Sequence, residues 1–176
     1  MKEVLLTLAF AAAGLSAMAQ TSDNVAYKDG NVRITMIDDG AARLEYSPDG
    51  KFVDNRSQVA VIRKYAPVNY KVTNSAKKVS IHTDAMTITY LKGQGPFSAS
   101  NLSIVSAKKK GTAPFVWKPG TKDDKNLKGT YRTLDQYDGN LRKGKPMPIE
   151  DGLLSKNGWT LIDDSRSYLF DNSEWP

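Results

Sequence analysis

From Val25 to about Trp117, apolar side chains recur at alternate positions, a period that suits a half-buried strand and no helix. Val32, Ile34 and Met36 alternate with Arg33 and Thr35; beyond Asp39-Gly40, Ala42, Leu44 and Tyr46 alternate with Arg43 and Glu45. That pattern predicts a β-hairpin with Asp39-Gly40 in its turn. Pro48 and Gly50 close the second strand. Further strands are expected at Val59–Arg63, Val68–Thr73, Val79–Thr83, Met86–Leu91, Leu102–Ser106, Phe115–Trp117, Trp159–Ile162 and Tyr168–Phe170. Connections this short cannot carry parallel crossovers, so the expected fold is all-β, an antiparallel two-sheet β-sandwich.

The N-terminus is a different object. Lys2 precedes the uncharged run "VLLTLAFAAAGLSAMA", and Ala17-Met18-Ala19 satisfies the small-x-small rule for cleavage before Gln20. Residues 1–19 therefore read as a signal peptide, and the protein as exported, periplasmic or extracellular. A retained anchor is the alternative, disfavoured by the Ala- and Gly-rich run and the missing basic flank. The chain of 176 residues has no Cys, so neither a lipid-attachment cysteine nor a disulfide is possible, and a hydrophobic core must supply the stability. One domain, 20–176, is long enough to build it.

A net charge of +6 raises the question of a polyanionic partner, but most bases lie beside acids, as in "RLEYSPDGK" and "TKDDKNLKG". Only Lys108-Lys109-Lys110 forms a run, which reads as a solvated loop between strands. No nucleic-acid partner is expected.

Chemistry-bearing residues are sparse. His82 is the single histidine and reads as an exposed strand residue; without a second His or any Cys, neither a zinc site nor a catalytic triad is well provided for. Acids come as neighbours, Asp38-Asp39, Asp123-Asp124 and Asp163-Asp164. A glycosidase needs two carboxyl groups facing each other across a sugar, and neighbours on a strand point to opposite faces. The first two pairs read as turns and the third as a strand end. "DGNLRKG" falls short of a calcium loop, and no Gly-rich phosphate loop or nucleophile elbow occurs. No catalytic residue, metal or cofactor is assigned.

The least strand-like stretch, Gly129 to Trp159, is studded with Gly, Pro, Asp and Tyr. Tyr131, Leu134, Tyr137, Leu141, Leu153, Leu154 and Trp159 give it enough apolar surface to order itself, and ordered excursions of this length are commonly functional. "VRITMIDDGAARLEYSPDGKFVDNRSQVAVIRK", "MTITYLKGQGPFSASNLSI" and above all "NLKGTYRTLDQYDGN…EDGLLSKNGWTLIDDS" resemble the N-terminal domain of bacterial glycoside hydrolase family 31 enzymes, the α-glucosidase and α-xylosidase family. The resemblance spans essentially all of the chain after the leader. It implies a galactose-mutarotase-like sandwich, non-catalytic by itself, that packs on a (β/α)8 barrel of the same parent chain. Both catalytic aspartates of the family belong to that barrel, and the end at Pro176 reads as an interruption before it.

The resemblance also implies that the excursion helps to wall a pocket for an α-linked oligosaccharide or glycoside. Ser155, Lys156 and Asn157, at the tip of "SKNG", are the expected rim group, with Gly158 permitting a tight turn. The family commonly has an Arg-Asp pair where Lys156-Asn157 stand, which alters the charge near the pocket. Trp159 either stacks on a sugar face or is buried at a strand start, the second reading being preferred. Arg132 and Asp135 are expected to brace the loop as a charged pair. Two other readings stay open: a free-standing sugar-binding sandwich of the envelope relying on Trp117 or Trp159, and an envelope interaction module with a basic surface.

Overall fold

The computed structural model describes residues 24–108, 114–129 and 149–171. The 1–19 leader, Lys109 and Lys110 of the lysine run, and the Arg132–Asp135 brace lie outside the described residues.

Among the described residues, eight antiparallel strands form two meandering sheets. β1 (Val25–Asp29), β2 (Val32–Asp38) and β3 (Ala41–Tyr46) make the smaller sheet. β4 (Lys71–Asn74), β5 (Lys78–His82), β6 (Met86–Leu91), β7 (Leu102–Ser106) and β8 (Val116–Trp117) make the larger one. β2 and β3 flank Asp39-Gly40 as the alternation predicts, and their register pairs Ile34 with Leu44 and Met36 with Ala42.

Both sheets turn one apolar face into a common core. Val32, Ile34 and Met36 of β2 meet Val79 and Ile81 of β5, Met86, Ile88 and Tyr90 of β6, and Leu102 of β7. Ile34, Met36 and Val79 are fully buried. Each such side chain contributes roughly 1.5–3 kcal/mol relative to exposure. Tyr27 and Tyr90 link the sheets, ring centroids 6.1 Å apart. Burial, then the hydrogen bond to Asp29 Oδ2 at 2.8 Å, raises the Tyr27 phenol well above its ordinary range. Asn24, 3 % exposed, ties the approach to β4 onto β1: its amide donates to the Ala66 carbonyl at 2.6 Å and its oxygen accepts from Val68 N at 3.3 Å.

The outer face of β2 departs from the simple alternation. Arg33 and Thr35, expected to face solvent, are only 9 % and 8 % exposed. Residues 51–63 provide part of the cover: Arg33 donates to Glu45 at 2.6 and 2.9 Å, reaches Asp54 at 2.7 Å, and lies 4.7 Å from the Phe52 ring centroid. Buried polar groups are stable only when paired in this way. Glu45 and Asp54 outweigh desolvation and keep the guanidinium firmly charged.

Some expected strands are absent. Val59–Arg63 and Trp159–Ile162 are irregular, and Tyr168–Phe170 makes a single bridge, Leu169 with Ser57. Their composition favours strands, but among the described residues Val59–Arg63 and Trp159–Ile162 join no ladder and Tyr168–Phe170 pairs only briefly with residues 56–58, and propensity without extended pairing does not make a sheet. The Val68–Thr73 strand begins at Lys71 instead. Asp163-Asp164 does not end a strand; it opens a turn in which the Asp163 carboxylate accepts from Ser165 N and Oγ at 2.9 and 2.6 Å. Among the described residues no helix is long and apolar enough to cross a membrane.

Candidate functional site

The Gly129–Trp159 excursion has a fastened base. Asn126 acts there as a peptide substitute: its Nδ2 donates to the Gly152 carbonyl at 3.0 Å, and Gly152 N donates to its Oδ1 at 2.9 Å. Main-chain bonds continue the clasp, from Leu127 N to Leu154 O at 2.9 Å, from Gly129 N to Glu150 O at 2.9 Å and from Lys156 N to Lys125 O at 3.1 Å. Lys128 adds an ion pair with Asp151 and takes a left-handed φ of 66°, uncommon for a residue with a side chain.

Gly152 is required at this crossing. A Cβ built there would overlap the Lys128 carbonyl, so the two backbones approach as closely as they do because no side chain stands between them.

The expected rim group folds onto Asp123. Ser155 Oγ donates to one Asp123 oxygen at 2.5 Å, and Asn157 Nδ2 donates to the same oxygen at 2.8 Å and to Asp124 Oδ1 at 2.9 Å. Asn126 Nδ2 donates to the second Asp123 oxygen at 2.8 Å. Desolvation pushes the Asp123 carboxyl up, but the bonds from Ser155, Asn126 and Asn157 outweigh it and hold the group below its ordinary value. Asp123 is a fixed anion whose acceptor sites are turned toward its own loop.

The turn itself is tight, as Gly158 suggests. Asn157 N donates to Ser155 Oγ at 3.0 Å, Gly158 N to Ser155 O at 3.3 Å, and Gly158 has φ of 78°. Lys156 stands out into solvent between the two braced residues. Trp159 is half-buried and packs edge-on against Trp117, centroids 6.4 Å apart. Trp117 itself is 7 % exposed and belongs to the core, so a sugar could stack on it only after displacing the packing around it. The structure thus braces Ser155 and Asn157 together on Asp123, with Lys156 as the projecting head of that unit, and sets Trp159 apart from it against Trp117.

Sequence reasoning missed the organisers of this unit, Asp123, Asn126 and Gly152. Asp123-Asp124 was legible as a turn, but bonds spanning 26 to 34 positions have no local signature. Nor do these acids face each other across a substrate-sized gap: they are sequence neighbours sharing one amide from Asn157. His82 is exposed, as expected, with Nδ1 3.1 Å from Thr87 Oγ1. Among the described residues, no three His, Cys, Asp or Glu side chains come together as a metal site.

Compared with protein-family models and with curated proteins, the sequence finds no match.

Proposed function

We propose that this chain is the non-catalytic N-terminal domain of an exported family 31 α-glycoside hydrolase, a galactose-mutarotase-like sandwich that packs on the catalytic (β/α)8 barrel. Its part in the reaction is to hold a polar loop at the wall of the carbohydrate pocket. The observation that carries this reading is the convergence of Ser155 and Asn157 on Asp123, which fixes the "SKNG" turn in advance of any ligand. A pocket wall that is already ordered does not lose conformational entropy when substrate arrives.

The test joins this domain to a family 31 barrel and replaces Ser155, Lys156 and Asn157 together by Ala. A several-fold rise in KM for at least one α-glucoside or α-xyloside is expected. Unchanged kinetics for every α-glycoside tried would remove the loop from the pocket, and hydrolysis at enzymatic speed by the chain alone would overturn the non-catalytic reading.

A further inference from the structure

The "SKNG" turn carries the sequence's one Asn-Gly pair, Asn157-Gly158. Glycine has no side chain to shield its amide nitrogen, and a nitrogen that follows asparagine can close a five-membered ring on the side-chain carbonyl carbon. The intrinsic chemistry of such a pair is loss of ammonia. The Gly158 nitrogen gives its proton to solvent base and bonds to Asn157 Cγ; the Cγ–Nδ2 bond breaks, and Nδ2 leaves as ammonia with a proton from water. Water then opens the cyclic imide. Opening at Cγ leaves aspartate, and opening at the main-chain carbonyl carbon leaves isoaspartate, with the backbone rerouted through Cβ and Cγ. One water enters, one ammonia departs, and nothing is oxidised or reduced.

The turn leaves this pair open to water but holds the asparagine. Gly158 is exposed, and its amide donates to Ser155 O over a long 3.3 Å. Asn157 is half-buried, with Nδ2 donating to Asp123 Oδ1 at 2.8 Å and to Asp124 Oδ1 at 2.9 Å, and with N donating to Ser155 Oγ at 3.0 Å. Rotation that presents Cγ to the Gly158 nitrogen moves Nδ2 off both carboxylates, and so does its departure. Giving up hydrogen bonds to charged acceptors slows the reaction on the order of tenfold. The product reverses the contacts: the two donor hydrogens are gone, and a carboxylate stands against Asp123 and Asp124.

We propose that Asn157-Gly158 is a site of spontaneous covalent modification gated by the carboxylates of Asp123 and Asp124, and that conversion of Asn157 to aspartate or isoaspartate releases the "SKNG" turn irreversibly. While both acids hold the amide, the turn keeps its shape. After conversion three carboxylates share it, and Ser155 and Lys156 lose their fixed placing. The inference does not rest on the carbohydrate reading, because its reactants are the chain and water, and it would survive loss of any sugar contact.

The test is peptide mapping of the full chain by mass spectrometry during incubation at mildly alkaline pH in heavy-oxygen water, which marks every opened imide. Conversion at position 157 should run on the order of tenfold faster in urea than in the native chain, and Asp123→Ala should recover most of that gain without urea. Asp124→Ala removes one bond from an exposed residue and should give a smaller gain. Asn74-Ser75, exposed at the end of β4, is the internal reference: unfolding speeds both sites, whereas release of the turn speeds only position 157. Should Asp123→Ala speed both, Asp124→Ala decides, a gain confined to position 157 supporting the gate and no gain removing it. In converted protein, hydrogen exchange at the amide of residue 157, which donates to Ser155 Oγ, should be faster than in the parent. Equal rates in native and unfolded chains, an unchanged or slower rate in Asp123→Ala, or unaltered exchange after conversion each overturns the proposal.

Discussion

Asp164 accepts a hydrogen bond from Arg43 Nη1 at 2.8 Å, joining β3 to a segment 121 positions later in the chain. The Arg43 and Asp164 side chains are 22 % and 13 % exposed, and Ser57 completes the junction from the 51–63 cover. Arg43 Nε lies 3.1 Å from Glu45 Oε1 but makes no well-directed hydrogen bond, so its Nη1 contact with Asp164 matters more. Asp164→Ala leaves a half-buried guanidinium short of a partner and should cost about 1–2 kcal/mol, the range for a charged hydrogen bond open to some solvent. Asp164→Asn should cost less, since its oxygen can still face Arg43 while its amide donates to Ser57. Urea unfolding of the two variants beside the parent measures both.

The acid side of the stability profile follows from the same contacts. Arg33 holds the Asp54 carboxyl below its ordinary value; at Asp164, desolvation pulls upward but Ser57, Ser167 and Arg43 outweigh it. Asp123 is also depressed. A carboxyl with a lower pKa folded than unfolded binds fewer protons in the native state, so its stabilisation is complete above the unfolded value and disappears as pH falls through the folded one. These three groups should leave urea midpoints flat from pH 7 to about 5 and lower them progressively below about 4. In Asp164→Asn the acid slope should be shallower. An identical slope in the variant would show that other groups govern the acid limb.

What could be read from the sequence was whatever depends on period and turn chemistry. Ile34 and Met36, both fully buried, were set on one face of their strand by alternation alone, and the Asp39-Gly40 hairpin by its turn residues. What could not be read was pairing at a distance. Val59–Arg63 has the composition of a strand and lacks a ladder, and the Arg33 side chain is covered by a loop that period two says nothing about. At the candidate site, Gly158 announced the turn, but the polar side chain that organises it lies 32 residues before Ser155. A local pattern cannot express that partnership.

Gly152 supplies a sharper test of the clasp than of overall stability. Gly152→Ala drives a methyl into the Lys128 carbonyl, and the two strands of the stem must separate to admit it. Gly93→Ala is the control: its φ of 73° is unfavourable for alanine, whereas its Cβ would meet nothing. Both variants should lower the melting temperature by a few degrees, in line with roughly 1 kcal/mol or more for a strained backbone. Only Gly152→Ala should speed hydrogen exchange at the Leu127 and Gly129 amides, which donate across the stem. Equal exchange in the two variants would mean that the close approach at Gly152 is not what keeps the stem shut.

Asn157 stands between two carboxylates, and its amide is suited to that place because it donates to both while carrying no charge. Asn157→Asp changes almost no volume, yet it removes the two donor hydrogens and sets a third carboxylate against Asp123 and Asp124. Mutual repulsion is felt only while the groups are ionised, so the loss of thermal stability relative to the parent should be clear at pH 7 and shrink as pH falls toward 3.5. High salt should narrow it as well, because these charges are near solvent. The sign of the pH dependence separates this mechanism from simple loss of hydrogen bonds, which Asn157→Ala would reproduce with little change between the two pH values. If Asn157→Asp and Asn157→Ala fall by the same amount at both, the Asp123–Asn157–Asp124 bridge is not an electrostatic device and the fit of asparagine to this turn has another cause.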